Sequence, residues 1–268
     1  MIHITSTVKT LRDALKPVSA ISDKCRLNIS PEGLSVKCRD PANVAMIILD
    51  LPKDVFHEGV YTVDETLQVG LDVVTYLSWF EGAEDNETAE LSIEPFEEGG
   101  KQRHKLVFKI AGTFEHTLTL MRPDDISKEP KIPMLTLRAQ VEVSKELLKR
   151  CFDEAVKVGD YVRIQALTYQ HLLVTDTPTR PTIIIEAGED VRKFKVELTT
   201  GVEITAESPE VRLKSSFSLD YLCDMVKVIG DGEIVKIHSD QDFPLVLDFK
   251  VLDHGRASFL VAPRVKSE

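Results

Sequence analysis

The sequence predicts an α+β chain built as two topologically similar domains joined by an extended connector. Three observations carry that expectation. The stretch from Leu118 to Leu137 holds Pro123, Pro130 and Pro133 with Asp124, Asp125, Lys128, Glu129 and Lys131 among them, near the middle of a 268-residue chain. Each proline removes a backbone donor and restricts the residue before it, so neither helical nor alternating period survives there. On either side, an amphipathic helix leads into alternating strands, and the two sides align at a nearly constant offset. The reading places one domain over residues 1–122, a connector over 123–134 and a second domain over 135–268.

In the first domain, Val8, Leu11, Leu15 and Val18 recur at helical spacing between Ser6 and Ala20, with Lys9, Arg12 and Lys16 on a neighbouring stripe. Pro17 should end or kink that helix. Cys25, Leu27 and Ile29, a Pro31-Glu32-Gly33 turn, then Leu34, Val36 and Cys38 read as a hairpin with one buried face. Asn43 to Leu51 reads as a more fully buried strand stopped by Pro52, and Leu71, Val74, Leu77 and Phe80 as a second helix. The acidic run Glu81 to Glu90 reads as a loop, Thr88 to Glu94 as a strand, Glu97 to Gly100 as a turn, and Lys105 to Ile110 with Phe114 to Met121 as a hairpin.

The second domain repeats this order. Val141 and Val143 end a strand, and Ser144 is placed to cap a helix whose apolar positions are Leu148, Phe152, Ala155 and Val158. Val162, Ile164 and Ala166 alternate, and further strands are expected near His171 to Thr175, Thr182 to Glu186 and Lys193 to Leu198. A helix carries Leu219, Leu222, Met225 and Val226, and the closing strands are Glu233 to His238, Leu245 to Val251 and Ala257 to Val261. Leu11, Leu15, Ile21, Asp23 and Leu27 fall on Leu148, Phe152, Val158, Asp160 and Ile164; Leu71, Asp72, Val74 and Leu77 fall on Leu219, Asp220, Leu222 and Met225. Accidental likeness of helix-then-hairpin units is the competing reading; an internal duplication accounts for the match better.

Composition narrows the function. An apolar share of 43% is enough for a packed core, and the apolar run Val44 to Leu49 is far too short to cross a bilayer. The first residues, MIHITSTVKTLRDALK, hold no signal-peptide core, which points to the cytoplasm or nucleus. Cys25, Cys38, Cys151 and Cys223 form no CxxC pair and read as small core residues. There is no phosphate-binding loop, dinucleotide glycine fingerprint, GxSxG or HExxH, and the histidines lack ligand spacing. No cofactor, metal or catalytic residue is expected, although a hydrolase or transferase with a dispersed site stays open. The net charge of −11 argues against a uniformly phosphate-attracting surface. It leaves room for a basic patch, and the cations do gather on helices. Lys9, Arg12 and Lys16 lie on the first, Lys145, Lys149 and Arg150 on its counterpart, and Lys227 on the last. For any one of them a solvated helix surface is the plainer reading.

GLSVKCRDPANVAMIILDLP from Gly33 to Pro52, EPKIP from Glu129 to Pro133, and FSLDYLCDMVKVIG, DFPLVLDFKV and FLVAPRV towards the end resemble the proliferating cell nuclear antigen family of DNA sliding clamps, its archaeal branch above all. The resemblance covers the whole chain. It implies two similar domains, each a pair of helices backed by antiparallel sheet, and three chains closing head to tail into a ring around double-stranded DNA. Cations implied to face DNA are Lys9, Lys16, Arg150 and Lys227, with Arg12, Lys145 and Lys149 added from helical spacing. A docking pocket for partner peptides is implied at Val44, Met46, Pro130, Ile132, Pro133, Pro244, Leu260 and Ala262; a strand-core role for Val44 and Met46 is the alternative. Ring closure should pair the Phe114 to Met121 edge (Phe114, Thr117, Thr119) with an edge near Thr182 to Ala187 (Thr182, Ile184, Glu186). DNA polymerase, flap endonuclease, ligase and an ATP-driven clamp loader are the implied partners, without a membrane. Arg39 stands where relatives place an apolar residue, Val73 to Phe80 holds no Lys or Arg, and Pro17 interrupts a helix that normally continues. Alternatives are a subunit of a heterotrimeric or checkpoint clamp, and an acidic scaffold that binds peptides but never DNA.

Overall fold

The computed structural model of the chain describes residues 1–57, 59–132, 134–168, 181–189, 192–205 and 211–264. It divides into two compact units, Met1–Lys131 with Lys250–Ala257, and Ile132–Phe249 with Ser258–Glu268. The first runs β1 (Ile2–Thr7), α1 (Val8–Leu15), β2 (Lys24–Ser30), β3 (Gly33–Arg39), β4 (Ala45–Pro52), β5 (Val60–Val63), β6 (Leu67–Asp72), α2 (Val73–Ser78), β7 (Thr88–Glu98), β8 (Lys101–Ile110) and β9 (Phe114–Thr119). The second runs β10 (Ala139–Ser144), α3 (Lys145–Val156), β11 (Tyr161–Thr168), β12 (Thr182–Glu189), β13 (Arg192–Leu198), β14 (Val202–Ile204), β15 (Val211–Ser218), α4 (Leu219–Val228), β16 (Ile234–Ser239), β17 (Leu245–Val251) and β18 (Gly255–Val261).

The duplication is written in the strand orders. Strands follow β5-β1-β7-β8-β9 and β4-β3-β2-β6 in the first unit, and β14-β10-β16-β17-β18 and β13-β12-β11-β15 in the second. Strand for strand, and helix for helix, the second list repeats the first. Each unit is therefore antiparallel sheet carrying a pair of helices, α1 against α2 and α3 against α4.

Several boundaries differ from the sequence reading, each for a local reason. The chain does not open on a helix at Ser6. Ile2, Ile4 and Ser6 point inward from a strand, and Thr7 then caps α1 by accepting from the Thr10 amide at 3.2 Å. Pro17 stops α1 after Leu15, and residues Lys16–Ala20 continue as a tighter 3-10 turn. β4 is half-buried rather than fully buried: Ala45, Ile47, Leu49 and Leu51 enter the core while Met46 and Ile48 face the other side. Pro52 is its last residue. β7 reaches Glu98, so the turn is narrower than expected. Strands β5, β6, β14 and β15 are not among the strands expected from the sequence. The strand expected near His171 to Thr175 lies outside the described residues.

The second helix of the first unit is the largest correction. Leu71 belongs to β6, Val74 is exposed, and the buried face of α2 is Val73 and Tyr76. Asp72 caps this helix and Ser218 precedes α4, so Tyr76, not Val74, is the counterpart of Leu222. Tyr76 is 1% exposed and donates its hydroxyl to the Leu11 carbonyl at 2.9 Å. Its ring packs on Phe80 and Phe108, and Trp79 stacks between Phe108 and His116 of β9. A helix of six residues is thus held by aromatic packing rather than by length.

Candidate functional site

The helices turn one face to the core and present their cations on the other. In α1, Val8, Leu11, Ala14 and Leu15 are buried, which leaves Lys9 exposed and Arg12 half-buried, and Lys16 follows exposed. In α3, Ser144 caps the first turn through the Leu147 amide at 3.2 Å; Leu148, Cys151, Phe152 and Ala155 are buried, and Lys149 and Arg150 are exposed. In α4, Lys227 is exposed outside the Leu219, Leu222, Met225 and Val226 face.

Lys145 departs from its expected place among these cations. Its stem is buried in the first turn of α3 and its ammonium pairs with Asp231 in the turn before β16. The carbonyl of Glu233 accepts from its amide at 2.9 Å, and Glu146 accepts from the Gly232 amide at 2.8 Å. Lys145 therefore fastens a turn to a helix. Three other cations hold carboxylates: Arg12 with Asp13 at 2.9 Å and Asp85 at 2.6 Å, Lys149 with Asp153 at 2.5 Å, and Lys227 with Asp224 at 2.8 Å. The hydrogen bond to Asp13 leads in raising the Arg12 guanidinium pKa, and that to Asp224 in raising the Lys227 ammonium pKa. Among the described residues Lys9, Lys16 and Arg150 make no ion pair.

The residues expected to dock peptides are described unit by unit. In the first, Met46 is half-buried on the side of β4 turned away from the core and Val44 is half-buried in the bend just before β4, so neither is strand core. Asp40 sets their backbone by accepting from the amides of Ala42 at 3.0 Å and of Val44 and Ala45 at 2.7 Å. Arg39 is exposed and lies opposite Met46 in the β3–β4 ladder. Pro130 is half-buried. In the second unit, Ile132 and Met134 are exposed, Pro244 and Ala262 are half-buried, and Leu260 is buried. Pro133 lies outside the described residues.

Sequence reasoning missed what fixes the connector. Gly70 in β6 exchanges backbone hydrogen bonds with Met121 at 2.8 and 2.9 Å. A Cβ there would stand 2.5 Å from Ile126 Cδ1 and 2.8 Å from Met121 Cβ, so only glycine admits the connector this close. Arg26 donates to the carbonyls of Ser127 at 3.1 Å and Ile126 at 2.9 Å, and Asn28 donates to Glu129 at 2.7 Å. Past the connector, Arg138 pairs with Asp240, which also accepts from the Gln241 amide at 2.6 Å. Burial pushes the Asp240 carboxyl up, but these donors outweigh it and leave it below the usual range. The partners are too far apart in sequence to show as a motif.

One expected edge is real and the other is displaced. β9 ends its sheet and is largely exposed, with Phe114, Thr117 and Thr119 all open to solvent. β12 is no edge: β11 and β13 take its two sides, Ile184 is buried and Glu186 accepts from Arg163 at 2.8 Å and Gln165 at 2.6 Å. Thr182, Ile184 and Glu186 are therefore unavailable for strand pairing; that sheet ends in β13 on one side and β15 on the other, and β13, next to β12, is largely exposed.

A duplicated α+β unit with helices over antiparallel sheet, and with cations on the solvent side of those helices, is an architecture that solved DNA clamps share. The chain is 33% identical to the DNA polymerase sliding clamp of Methanosarcina barkeri over 269 residues, covering 100% of both chains. It is 30% identical to that of Archaeoglobus fulgidus over 270 residues, again covering 100% of both. No family model matches. A solved structure of A. fulgidus PCNA, bound to the C-terminal region of FEN-1, superposes at a TM-score of 0.81 with 28% identity and full coverage of both chains. PCNA from Thermococcus kodakaraensis shares the fold, at a TM-score of 0.78 over 98% of this chain and 100% of that one. The chain belongs to the DNA polymerase sliding clamp family. No helix among the described residues is long and apolar enough to cross a membrane.

Proposed function

We propose that three copies of this chain close head to tail around double-stranded DNA and tether replication and repair enzymes to it. The observation that carries this reading is the pair of exposed edges, β9 in one unit and β13 in the other, on a duplicated fold. Two different edges on one subunit make a heterologous contact, which generates a ring when the rotation closes. Each open edge would otherwise template aggregation, so pairing β9 of one copy with β13 of the next removes both hazards.

Lys9, Arg12, Lys16, Lys149, Arg150 and Lys227 then face the enclosed duplex. Contacts to phosphates position without reading sequence, so the ring holds DNA by enclosure and slides. Partner peptides contact apolar positions of each unit: half-buried Val44, Met46 and Pro130 in the first, and exposed Ile132 with half-buried Pro244 and Ala262 over buried Leu260 in the second. The PCNA solved with FEN-1 bound supports flap endonuclease as one user of such a site, with polymerase and ligase as others. Opening the ring falls to a separate ATP-driven loader, since no nucleotide motif stands in the sequence. The archaeal relatives, from cells without a nucleus, support a cytoplasmic location.

Native mass spectrometry of Phe114→Asp tests this reading. Phe114 is 63% exposed, so the charge should leave the fold intact while opposing strand pairing. The parent chain should weigh three copies and the variant one. A parent that stays a single copy would sink the proposal.

A further inference from the structure

Three of the cations on these helices, Arg12, Lys149 and Lys227, are not bare. Leu11 and Leu15 match Leu148 and Phe152, so Arg12 and Lys149 occupy equivalent positions in the two copies. Both are held by carboxylates, but by different ones: Asp13 and Asp85 in the first unit, Asp153 in the second. Lys227 repeats the arrangement with Asp224. Asp85, Asp153 and Asp224 keep 60%, 53% and 58% of their side-chain surface exposed, so these pairs open directly to solvent.

Helix stability does not account for two of the acids. Asp13 and Asp153 lie in the last turns of α1 and α3, where negative charge opposes the macrodipole. Lys149 precedes Asp153 by one turn, the less favourable order for an ion pair along a helix. Exposed pairs of this kind contribute little to folding. What they do change is the freedom of each cation to reach another anion.

We infer that Asp13, Asp85, Asp153 and Asp224 attenuate DNA contact by competing with backbone phosphates for Arg12, Lys149 and Lys227. This rests on the DNA-facing reading of α1, α3 and α4. A phosphate that engages one of these cations must displace a carboxylate, so the exchange is close to neutral. Lys16 and Arg150 give up no such partner, and Lys9 lies near Asp85 without an ion pair to it. The enclosed duplex is thereby held by few net contacts, which favours sliding over arrest.

The test compares the wild-type chain with Asp153→Asn/Asp224→Asn and with Lys16→Gln/Arg150→Gln, by fluorescence anisotropy on a labelled linear duplex across a NaCl series. The asparagine pair should bind severalfold tighter. Its dependence of log K on log salt should steepen by about 0.9 for each uncovered cation that engages a phosphate. The glutamine pair should bind more weakly. If the glutamine pair weakens binding while the asparagine pair matches wild type, the attenuator role is overturned and the helices still face DNA. If neither pair differs from wild type, the DNA-facing reading falls and the attenuators fall with it. Light scattering on each protein checks assembly; should the asparagine pair change mass, Asp85→Asn on the loop after α2 replaces it, with the same two readings.

Discussion

Lys145 and Lys149 stand one turn apart on α3, yet their surroundings separate their jobs. Lys145 has a buried stem and a partner in Asp231, whereas Lys149 is exposed beside Asp153. Lys145→Ala should therefore lower stability by about 2 kcal/mol, at roughly 0.8 kcal/mol for each buried methylene lost, and leave DNA retention unchanged in the folded fraction. Charge reversal at Lys16 and Lys149 should do the opposite, leaving urea midpoints and ring mass alone while weakening retention on DNA. Asp240 gives a pH signature. Its folded-state pKa lies below the ordinary carboxylate value, so its stabilisation is present above that value and is lost as pH falls through the folded one. Asp240→Asn should flatten the acid limb of a stability-versus-pH curve; an unchanged limb would show that Arg138 and Asp240 contribute nothing there.

At the scale of elements, the connector is the part best seen in the sequence and least explained by it. Three prolines announce an extended segment, but what fixes its root is Gly70, Arg26 and Asn28, residues far from it along the chain. Gly70→Val should push Met121 and Ile126 off β6, raise hydrogen exchange from residue 121 to 129, and weaken partner-peptide binding severalfold. Ile132, exposed on the connector, should abolish polymerase stimulation when replaced by glutamate without changing ring mass. Long amphipathic segments with caps, such as α3 with Ser144, were legible because period and cap agree. α2 was misplaced because a short helix held by Tyr76 and its aromatic neighbours has hardly any period to read. The sequence alone cannot tell β12 from an edge, because alternation reports which face is buried, never which side lacks a neighbour. Only the strand order reveals that β13 lies outside it.

The whole molecule repeats itself, and the repeat explains how one chain offers two unlike edges. β9 is the last strand in the first half of the pattern and β13 the fourth in the second, so they cannot be the same surface. That asymmetry suits the proposed head-to-tail closure, in which enclosure rather than affinity holds the DNA. An overall charge of −11 is compatible with this because Lys9, Arg12, Lys16, Lys149, Arg150 and Lys227 lie on or beside the helices, on their solvent side. The most direct measurement is retention after loading, on a closed circular duplex and on the same duplex cut once. The account predicts that the protein stays on the circle through a high-salt wash and leaves within the dead time once the circle is linearised. Equal retention on both forms would contradict it.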